Sequence, residues 1–228
     1  MLLLKIESTF KDYKEFCTYT FNHPSDTFYI KKTLSIAVLC GMLYGFIMGM
    51  YNSILQAFVS AIKVPLLFFA TLAICITLLH FIGLLFGSKL KFLQTTSVLV
   101  HGISISMILL SAFAPISLFF MLTHSIYKFI LLMHVLFFAF AGATGLFFIK
   151  RNFTILRELE MASLPQQNTD VNTRSDARIL TIWMLLYMFV GTQMAYILSP
   201  FIGTDSTFML FNGSDNNFYT YLLKQLFG

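Results

Sequence analysis

The stretch that decides the fold is VPLLFFATLAICITLLHFIGLLF (64–86), followed by the short basic turn GSKLK (87–91) and by FLQTTSVLVHGISISMILLSAFAPISLFF (92–120). Neither apolar run contains Asp, Glu, Lys or Arg. A helix needs about 20 residues to cross a hydrocarbon core of about 30 Å, so each run is long enough. Because lipid offers the backbone no hydrogen-bond partner, such runs form helices. The sequence therefore predicts a helical hairpin that spans a membrane.

The composition extends this prediction to the whole chain. Of the 228 residues, 57% are hydrophobic and 11% are charged, whereas a soluble domain carries about 25% charged residues. The three cysteines are odd in number and two lie in apolar segments, which argues against a disulfide framework. The net charge of +5 is spread over the loops, where anionic lipid head groups balance it, so we expect membrane lipids and no nucleic acid as partners.

Three further apolar segments accompany the hairpin. The sequence predicts an all-α, polytopic bundle with five membrane-spanning helices at 33–58, 64–86, 92–120, 129–148 and 179–198. These helices and a polar linker at 150–178 form a transmembrane domain at 33–198. Residues 1–32 combine aromatic and charged side chains at helical spacing, which predicts an amphipathic segment on the membrane surface. An apolar stripe within residues 199–228 predicts an amphipathic tail.

The distribution of basic residues predicts the orientation of the helices. Twelve of the 15 Lys and Arg residues fall on the side of the amino terminus, the 87–91 turn and the linker, whereas Lys63, Lys128 and Lys224 fall on the other side. Positively charged loops remain in the cytoplasm. We therefore expect a cytoplasmic amino terminus and linker and an external carboxyl terminus.

Small residues recur at helical spacing inside the predicted spans. Such residues let two helices approach each other at backbone distance. The first span contains a ladder of three glycines spaced four residues apart, and later spans contain shorter small-residue patches. The glycines for which we predict a helix-packing role are Gly41, Gly45, Gly49, Gly83, Gly87, Gly142, Gly145 and Gly191.

Few polar side chains in the spans are candidates for ligand binding. Gln193, Asn52 and Gln56 are uncharged, and we expect them to hydrogen-bond to neighbouring helices. His80 and His101 are expected at similar depth on the two arms of the hairpin, where two imidazoles could hold a haem iron or a metal. Each ring could instead hydrogen-bond to a carbonyl or hydroxyl group, which is the interpretation we favour.

No predicted span contains Asp or Glu, and the sequence shows no Walker loop, nucleophile elbow, zinc-protease helix or Cys-x-x-Cys pair. Ion-coupled transporters usually carry an ionisable group at mid-membrane. We therefore predict no catalytic residue, no metal, no cofactor and no enzymatic activity.

Three blocks of the sequence carry a family resemblance: KVPLLF (63–68), FGSKLKFLQT (86–95), and VGTQMAY (190–196) with SPFIG (199–203). They resemble blocks of an uncharacterised family of bacterial multi-pass membrane proteins, and this resemblance implies a location in a bacterial inner membrane. The plan of five spans, with a Gly-Ser turn between the second and third, is similar to that of the Yip family of membrane-trafficking proteins. This likeness implies non-enzymatic work in organising a membrane.

The sequence leaves three functions open. We expect a structural or accessory subunit of a membrane complex, which associates with other membrane subunits or with itself. The first alternative is a small oligomeric channel or transporter, lined by Gln193, Asn52, Ser104 and Ser106. The second alternative is a haem-binding subunit that uses His80 and His101.

Overall fold

The computed structural model describes residues 13–23, 28–85, 91–123, 126–162, 172–199 and 201–202. The helices of these ranges are α1 (Tyr13–Asn22), α2 (Phe28–Gly49), α3 (Ile54–Leu85), α4 (Phe92–Thr123), α5 (Tyr127–Ala162) and α6 (Asn172–Leu198). The last five are long and apolar enough to cross a membrane. The predicted all-α fold with five spanning helices is therefore confirmed. Gly87 and the tail from residue 203 onward lie outside the described residues.

The bundle has two ends, which we name by their contents. The turn end carries the turn at 50–53 and the start of α5, where the rings of Tyr51 and Tyr127 lie 6.3 Å apart. The α1 end carries α1, which packs against α4 and α5. Successive spans run in opposite directions between these two ends.

The first two spans meet at a different place from the one that the sequence predicts. α2 ends at Gly49 and not at residue 58, because the chain turns back at 50–53. In this turn the backbone N–H of Asn52 donates a hydrogen bond to the carbonyl of Gly49 (3.3 Å). Asn52 therefore lies in a turn between two spans and not within a helix.

α3 begins at Ile54 and not at residue 64, so it takes in residues that the sequence assigns to the first span and to a loop. The hydroxyl of Ser53 accepts a hydrogen bond from the backbone N–H of Gln56 (3.1 Å), which is the arrangement of a helix N-cap. Hydropathy cannot reveal this cap, since Ser53 is one hydroxyl within a long apolar run. As a result, Lys63 lies inside a spanning helix and is buried there.

The predicted linker at 150–178 is helical over much of its length, because α5 continues to Ala162 and α6 begins at Asn172. At 1.5 Å per residue the 36 residues of α5 form a rod of about 54 Å. A hydrocarbon core is about 30 Å thick. One end of α5 therefore extends beyond the membrane, and it does so where α1 packs.

α2 lies between the two arms of the predicted hairpin. It packs extensively on both α3 and α4, whereas those two helices touch each other much less. The contact with α3 is made at backbone distance. A Cβ atom on Gly45 would collide with the carbonyl of Ser60, and one on Gly49 would lie 2.6 Å from the Cα of Ala57. Only glycine fits at these two positions.

α4 and α5 cross through a second pair of glycines. A Cβ on Gly102 would lie 2.9 Å from the carbonyl oxygen of Gly145, and one on Gly145 would lie 2.8 Å from that of Gly102. Further along, the rings of Phe113 and Phe137 stack with centroids 4.6 Å apart. Gly102 is absent from the glycines that the sequence singled out, although its small-xxx-small spacing to Ser106 is a usable signal.

Gly41, Gly142 and Gly191 have looser surroundings, whereas the surroundings of Gly83 lie outside the part of the chain that the structure describes. A Cβ on Gly41 would lie 3.4 Å from the Sδ of Met107, and one on Gly191 would lie 3.7 Å from the Cγ2 of Thr71. A Cβ on Gly142 would meet no heavy atom within 4 Å in the described part of the chain. Gly142 therefore makes no close helix contact there.

We expect Gly45→Ala to lower the free energy of unfolding by about 1–3 kcal/mol, because the added methyl group forces two backbones apart. Gly142→Ala is the matched control. It makes the same change in a helix but into open space, and we expect it to be neutral or to stabilise by up to about 1 kcal/mol through helix propensity. Thermal unfolding of both variants in one detergent measures the difference. Equal melting temperatures would contradict the packing described for Gly45.

Candidate functional site

Three polar side chains line one buried face of α3 near the turn end. Gln56, Ser60 and Lys63 stand at i, i+4 and i+7, which places them on the same side of the helix. The first two are completely buried, and Lys63 is only 3% exposed. Lys63 lies nine residues, or about 13.5 Å, along α3 from Ile54. An ionisable side chain inside a spanning segment marks a candidate functional site.

Phe201, just past the end of α6, covers this face. Its carbonyl accepts hydrogen bonds from the hydroxyl of Ser60 and from Nε2 of Gln56 (3.4 Å). Its ring centroid lies 5.9 Å from Nζ of Lys63, within the range of a cation–π contact. We call Gln56, Ser60, Lys63 and Phe201 the Lys63 site. Ser60 and Gln56 thus donate to a backbone oxygen of the same chain.

A second polar cluster joins three helices in the same half of the bundle. Tyr44 Oη lies 2.7 Å from Nδ1 of His134, and Ser117 Oγ lies 3.3 Å from Nε2 of the same ring. A neutral imidazole carries one N–H, so one of these hydroxyl groups donates to the ring and the other accepts from it. His134 thereby links α2, α4 and α5.

The serine and histidine of this cluster raise the possibility of nucleophilic chemistry, since a serine beside a histidine is the core of many hydrolase sites. However, Ser117 and Tyr44 are completely buried and His134 is 2% exposed. The hydroxyl of Ser117 therefore has no approach for a substrate in this conformation. The arrangement acts as an interhelical hydrogen-bond link.

The two histidines of the predicted pair lie beside different neighbours. His101 Nδ1 is 2.9 Å from Nδ2 of Asn152, so the amide donates to the ring. The ring of His80 packs edge-on against Phe92, with centroids 5.1 Å apart. Phe92 begins α4, and His101 lies nine residues further, or about 13.5 Å. The facing pair does not form, because α2 separates the two arms of the hairpin.

The described helices also do not gather metal-ligating side chains into a cluster. Among these residues no group of three or more His, Cys, Asp or Glu side chains lies close enough together to hold a metal ion. His101 instead belongs to a cluster at the α1 end. There the thiol of Cys17 donates to the carbonyl of Asn152 (3.7 Å), and Nε2 of Gln94 donates to the carbonyl of Phe21 (3.2 Å). These contacts fix α1 to α4 and α5.

The four residues proposed as a channel lining are spread over three elements. Asn52 lies in the turn at 50–53, and Gln193 is half-buried on α6. Ser104 and Ser106 are buried in α4. Asn52 lies at the turn end of the bundle, where α4 also ends. Ser106 lies 17 residues, or about 25 Å, from that end of α4. The structure therefore does not gather these four side chains.

The fold and its clusters define a class of protein: a multi-pass helical membrane protein whose spans are joined by buried polar contacts. No protein-family description, curated protein or solved structure matches the chain. The Lys63 site and the Tyr44–His134–Ser117 cluster were not anticipated from the sequence, apart from Gln56. Their members are distant in the chain, with 90 residues between Tyr44 and His134.

We expect Tyr44→Phe to lower the free energy of unfolding by about 1 kcal/mol, because interhelical hydrogen bonds in membranes average about 0.6 kcal/mol and reach about 1.7 kcal/mol. Ser117→Ala removes the other partner of the same imidazole. Denaturation of both single variants and the double variant yields their coupling. Since both hydroxyls bind one ring, we expect an interaction energy above about 0.5 kcal/mol. Simple additivity would show that His134 does not couple them.

The docked position of α1 predicts an unreactive thiol. Burial raises the pKa of Cys17 to about 12, against an ordinary value of 9.0. Since the thiolate is the reactive form, about a thousandfold less of it is present at pH 8 than in an ordinary thiol. Thr18, the next residue, is exposed. The first variant carries Cys40→Ala and Cys75→Ala, so that Cys17 is its single thiol. The second variant adds Cys17→Ser and Thr18→Cys, so that its single thiol is at position 18. We expect iodoacetamide to alkylate Cys17 in the first variant far more slowly than the thiol at position 18 in the second.

Mass spectrometry between pH 7 and pH 10 measures both alkylation rates. The rate for Cys17 should still rise about tenfold per pH unit up to pH 10, whereas the rate for the thiol at position 18 should be half-maximal near pH 9 and approach a plateau near pH 10. Equal rates at the two positions would show that α1 is not docked.

Proposed function

We propose that this chain is a non-enzymatic integral membrane protein of a bacterial inner membrane, where it acts as a structural or accessory subunit of a larger complex. The observation that carries the proposal is the position of α6. The likeness of the five-span plan to the Yip family supports the same kind of work, which is the organisation of a membrane without catalysis.

α6 is the least buried of the five spans. It packs on α3 and hardly meets α5. In the apolar stretch of α6 that is long enough to cross a membrane, only 22% of the residues are buried, against 50% in the corresponding stretch of α3. One specific contact fastens it, because the indole N–H of the buried Trp183 donates to the carbonyl of Cys75 (3.0 Å). In the described part of the chain α6 is thus positioned mainly by α3, and much of its other side is exposed.

That side of α6 carries large apolar residues. We call it the α6 face, defined by Ile182, Leu185, Met188 and Phe189, which are between 52% and 66% exposed. Their spacing of three and four residues places them on one side of the helix. Spanning helices associate through the packing of such faces, without any hydrophobic force to drive them together in lipid. We infer that a spanning helix of another subunit packs on the α6 face.

A transport function is the second candidate, and one observation favours it. The sequence places no acidic residue in the predicted spans, but the structure places Lys63 inside α3. Polar and ionisable groups within a membrane often lie on substrate paths. Because Gln193, Asn52, Ser104 and Ser106 lie apart, a transport path would run through the Lys63 site. The haem-binding alternative is less favoured, because His101 is hydrogen-bonded to Asn152 and His80 packs against Phe92.

Photo-crosslinking from the α6 face tests the proposal. With benzoylphenylalanine at Leu185 or at Phe189, we expect illumination of native membranes to yield an adduct of discrete higher mass. Phe119 on α4 and Phe147 on α5 are matched controls, since they are 60% and 57% exposed on other helices. These positions should react with lipid only. The proposal fails if positions 185 and 189 yield no protein adduct beyond that of the controls, in variants that remain monodisperse after extraction.

A further inference from the structure

We propose that lipid acyl chains follow the α3–α4 hairpin to its tip at the α1 end, well beyond the depth at which the neighbouring helices place their charged residues. The protein then draws the leaflet at the α1 end outward along the hairpin, so that the bilayer around it has an uneven edge. This inference needs only the membrane-spanning class of the protein and is independent of the proposed partner of the α6 face.

The depth of the exposed lysines of α2 follows from its close contact with the antiparallel α3. A Cβ on Gly45 would collide with the backbone of Ser60. Lys31 lies 14 residues before Gly45. Its depth on α3 is therefore 14 residues after Ser60, at Ile74. Lys31 and Lys32 are both exposed, and a lysine at the end of a span carries its ammonium to the head groups. The hydrocarbon core at α2 therefore ends near the depth of Ile74.

α5 indicates an edge at a similar depth. Its Ile149 lies against Gly102 of α4, so the next residue, Lys150, lies at the depth of His101. Lys150 is exposed. Phe92, at the start of α4, lies nine residues, or about 13.5 Å, beyond His101. The start of α4 therefore extends past the exposed charge of the helix on which it packs.

α6 also places its charged residues before the hairpin ends. The indole of Trp183 reaches the carbonyl of Cys75 on α3 (3.0 Å). Arg178 lies five residues before Trp183. Because α3 and α6 run in opposite directions, its backbone lies at about the depth of His80. The apolar stretch of α6 that is long enough to cross a membrane begins at Leu180. The last turn of α3 thus lies level with the charged first turns of α6.

Beyond these depths the hairpin still presents large apolar side chains. We call these four residues the hairpin tip, namely Phe81, Leu84, Phe92 and Leu93. They are between 40% and 60% exposed. The two arms meet here, since the rings of His80 and Phe92 lie 5.1 Å apart. Leu84 lies ten residues, or about 15 Å, beyond Ile74. In a flat bilayer whose edge lies at the exposed lysines of α2 and α5, the hairpin tip would stand in water.

The hairpin tip continues the lipid-facing surface of α3, which is the first reason to assign lipid as its cover. Ile74, Leu78, Phe81 and Leu84 recur at intervals of three and four residues, and each is at least 40% exposed. From Ile74 to Leu85 the sequence contains no Lys, Arg, Asp or Glu. Acyl chains that cover Ile74 therefore meet no charged boundary before Leu84.

The second reason is the charge beside the hairpin tip. Lys91 directly precedes Phe92 and is exposed. Basic residues next to exposed aromatic and leucine side chains are typical of surfaces that bind anionic lipids. A bilayer matches an uneven apolar surface at a modest cost per ångström, whereas an apolar patch in water is unfavourable over its whole area. The leaflet therefore follows the hairpin and covers its tip.

Spin-label accessibility tests the proposal, because oxygen concentrates in hydrocarbon and a nickel chelate in water. The purified full chain, with its three native cysteines replaced, receives one nitroxide-labelled cysteine and is reconstituted in liposomes of phosphatidylcholine and phosphatidylglycerol. We expect the labels of Phe81→Cys and Leu84→Cys to favour oxygen as strongly as that of Phe147→Cys, which is the lipid-facing reference at 57% exposure.

Glu158→Cys is the matched control. Glu158 is exposed on α5, eight residues or about 12 Å beyond Lys150, so it lies as far past the exposed lysines as the hairpin tip does. Its label should favour the nickel chelate, and its ratio of oxygen to nickel accessibility should be several-fold lower than at positions 81 and 84.

Acyl chain length gives a second measurement, by thermal unfolding in liposomes of increasingly long lipids. We expect Phe81→Ser combined with Leu84→Ser to move the most stabilising chain length toward shorter lipids, because the apolar surface then ends nearer the depth of Ile74. Thr154→Asn, at an exposed position of α5 at the same end, should leave the optimum unchanged. If the double variant does not fold, the accessibility measurement decides by itself.

The proposal is overturned if the labels at positions 81 and 84 favour the nickel chelate as the label at position 158 does, since the hairpin tip then stands in water. It is also overturned if they are accessible to neither reagent, because a second copy of the chain then covers the tip. A third contrary result would be a discrete protein adduct from benzoylphenylalanine at Phe81 in native membranes, which would identify another protein as the cover.

Discussion

The close approach of α2 to α3 at Gly45 and Gly49 is the contact on which the rest of the structure depends. It requires two positions without a side chain, because the backbone of α3 occupies the space of a Cβ atom. With α2 held there, α3 and α4 are kept apart although they are consecutive in the chain. The arrangement brings Tyr44 to His134 on α5 and prevents the two arms of the hairpin from joining His80 to His101.

Lipid explains why the interior polar groups form pairs between helices. Without water, a buried hydroxyl, amide or imidazole must find its partner in the protein. His134 finds two, His101 finds Asn152, and Trp183 finds a backbone carbonyl. Each contact adds only a modest free energy. Their effect is mainly on specificity, because they define which helix faces which in a medium that does not distinguish one apolar surface from another.

α6 joins three features of the described structure. One side is fastened to α3 by Trp183, the opposite side forms the α6 face, and the residues after its end cover the Lys63 site. α6, the least buried span, thus connects the exposed α6 face with the buried Lys63 site. The rigid part of the protein, α2 to α5, supplies the donors of that site, whereas α6 supplies its cover.

The sequence by itself determined that this protein is an all-helical bundle with five spans, because the cost of exposing backbone and charge to lipid depends on local composition alone. It also identified Gln56 as a polar residue of interest. Only the tertiary structure decided that Ser53 caps α3, that Lys63 lies inside a span, and that Phe201 covers it. These outcomes depend on shape and on single hydrogen bonds between residues far apart in the chain, and apolar runs in lipid carry no information about which of them will be neighbours.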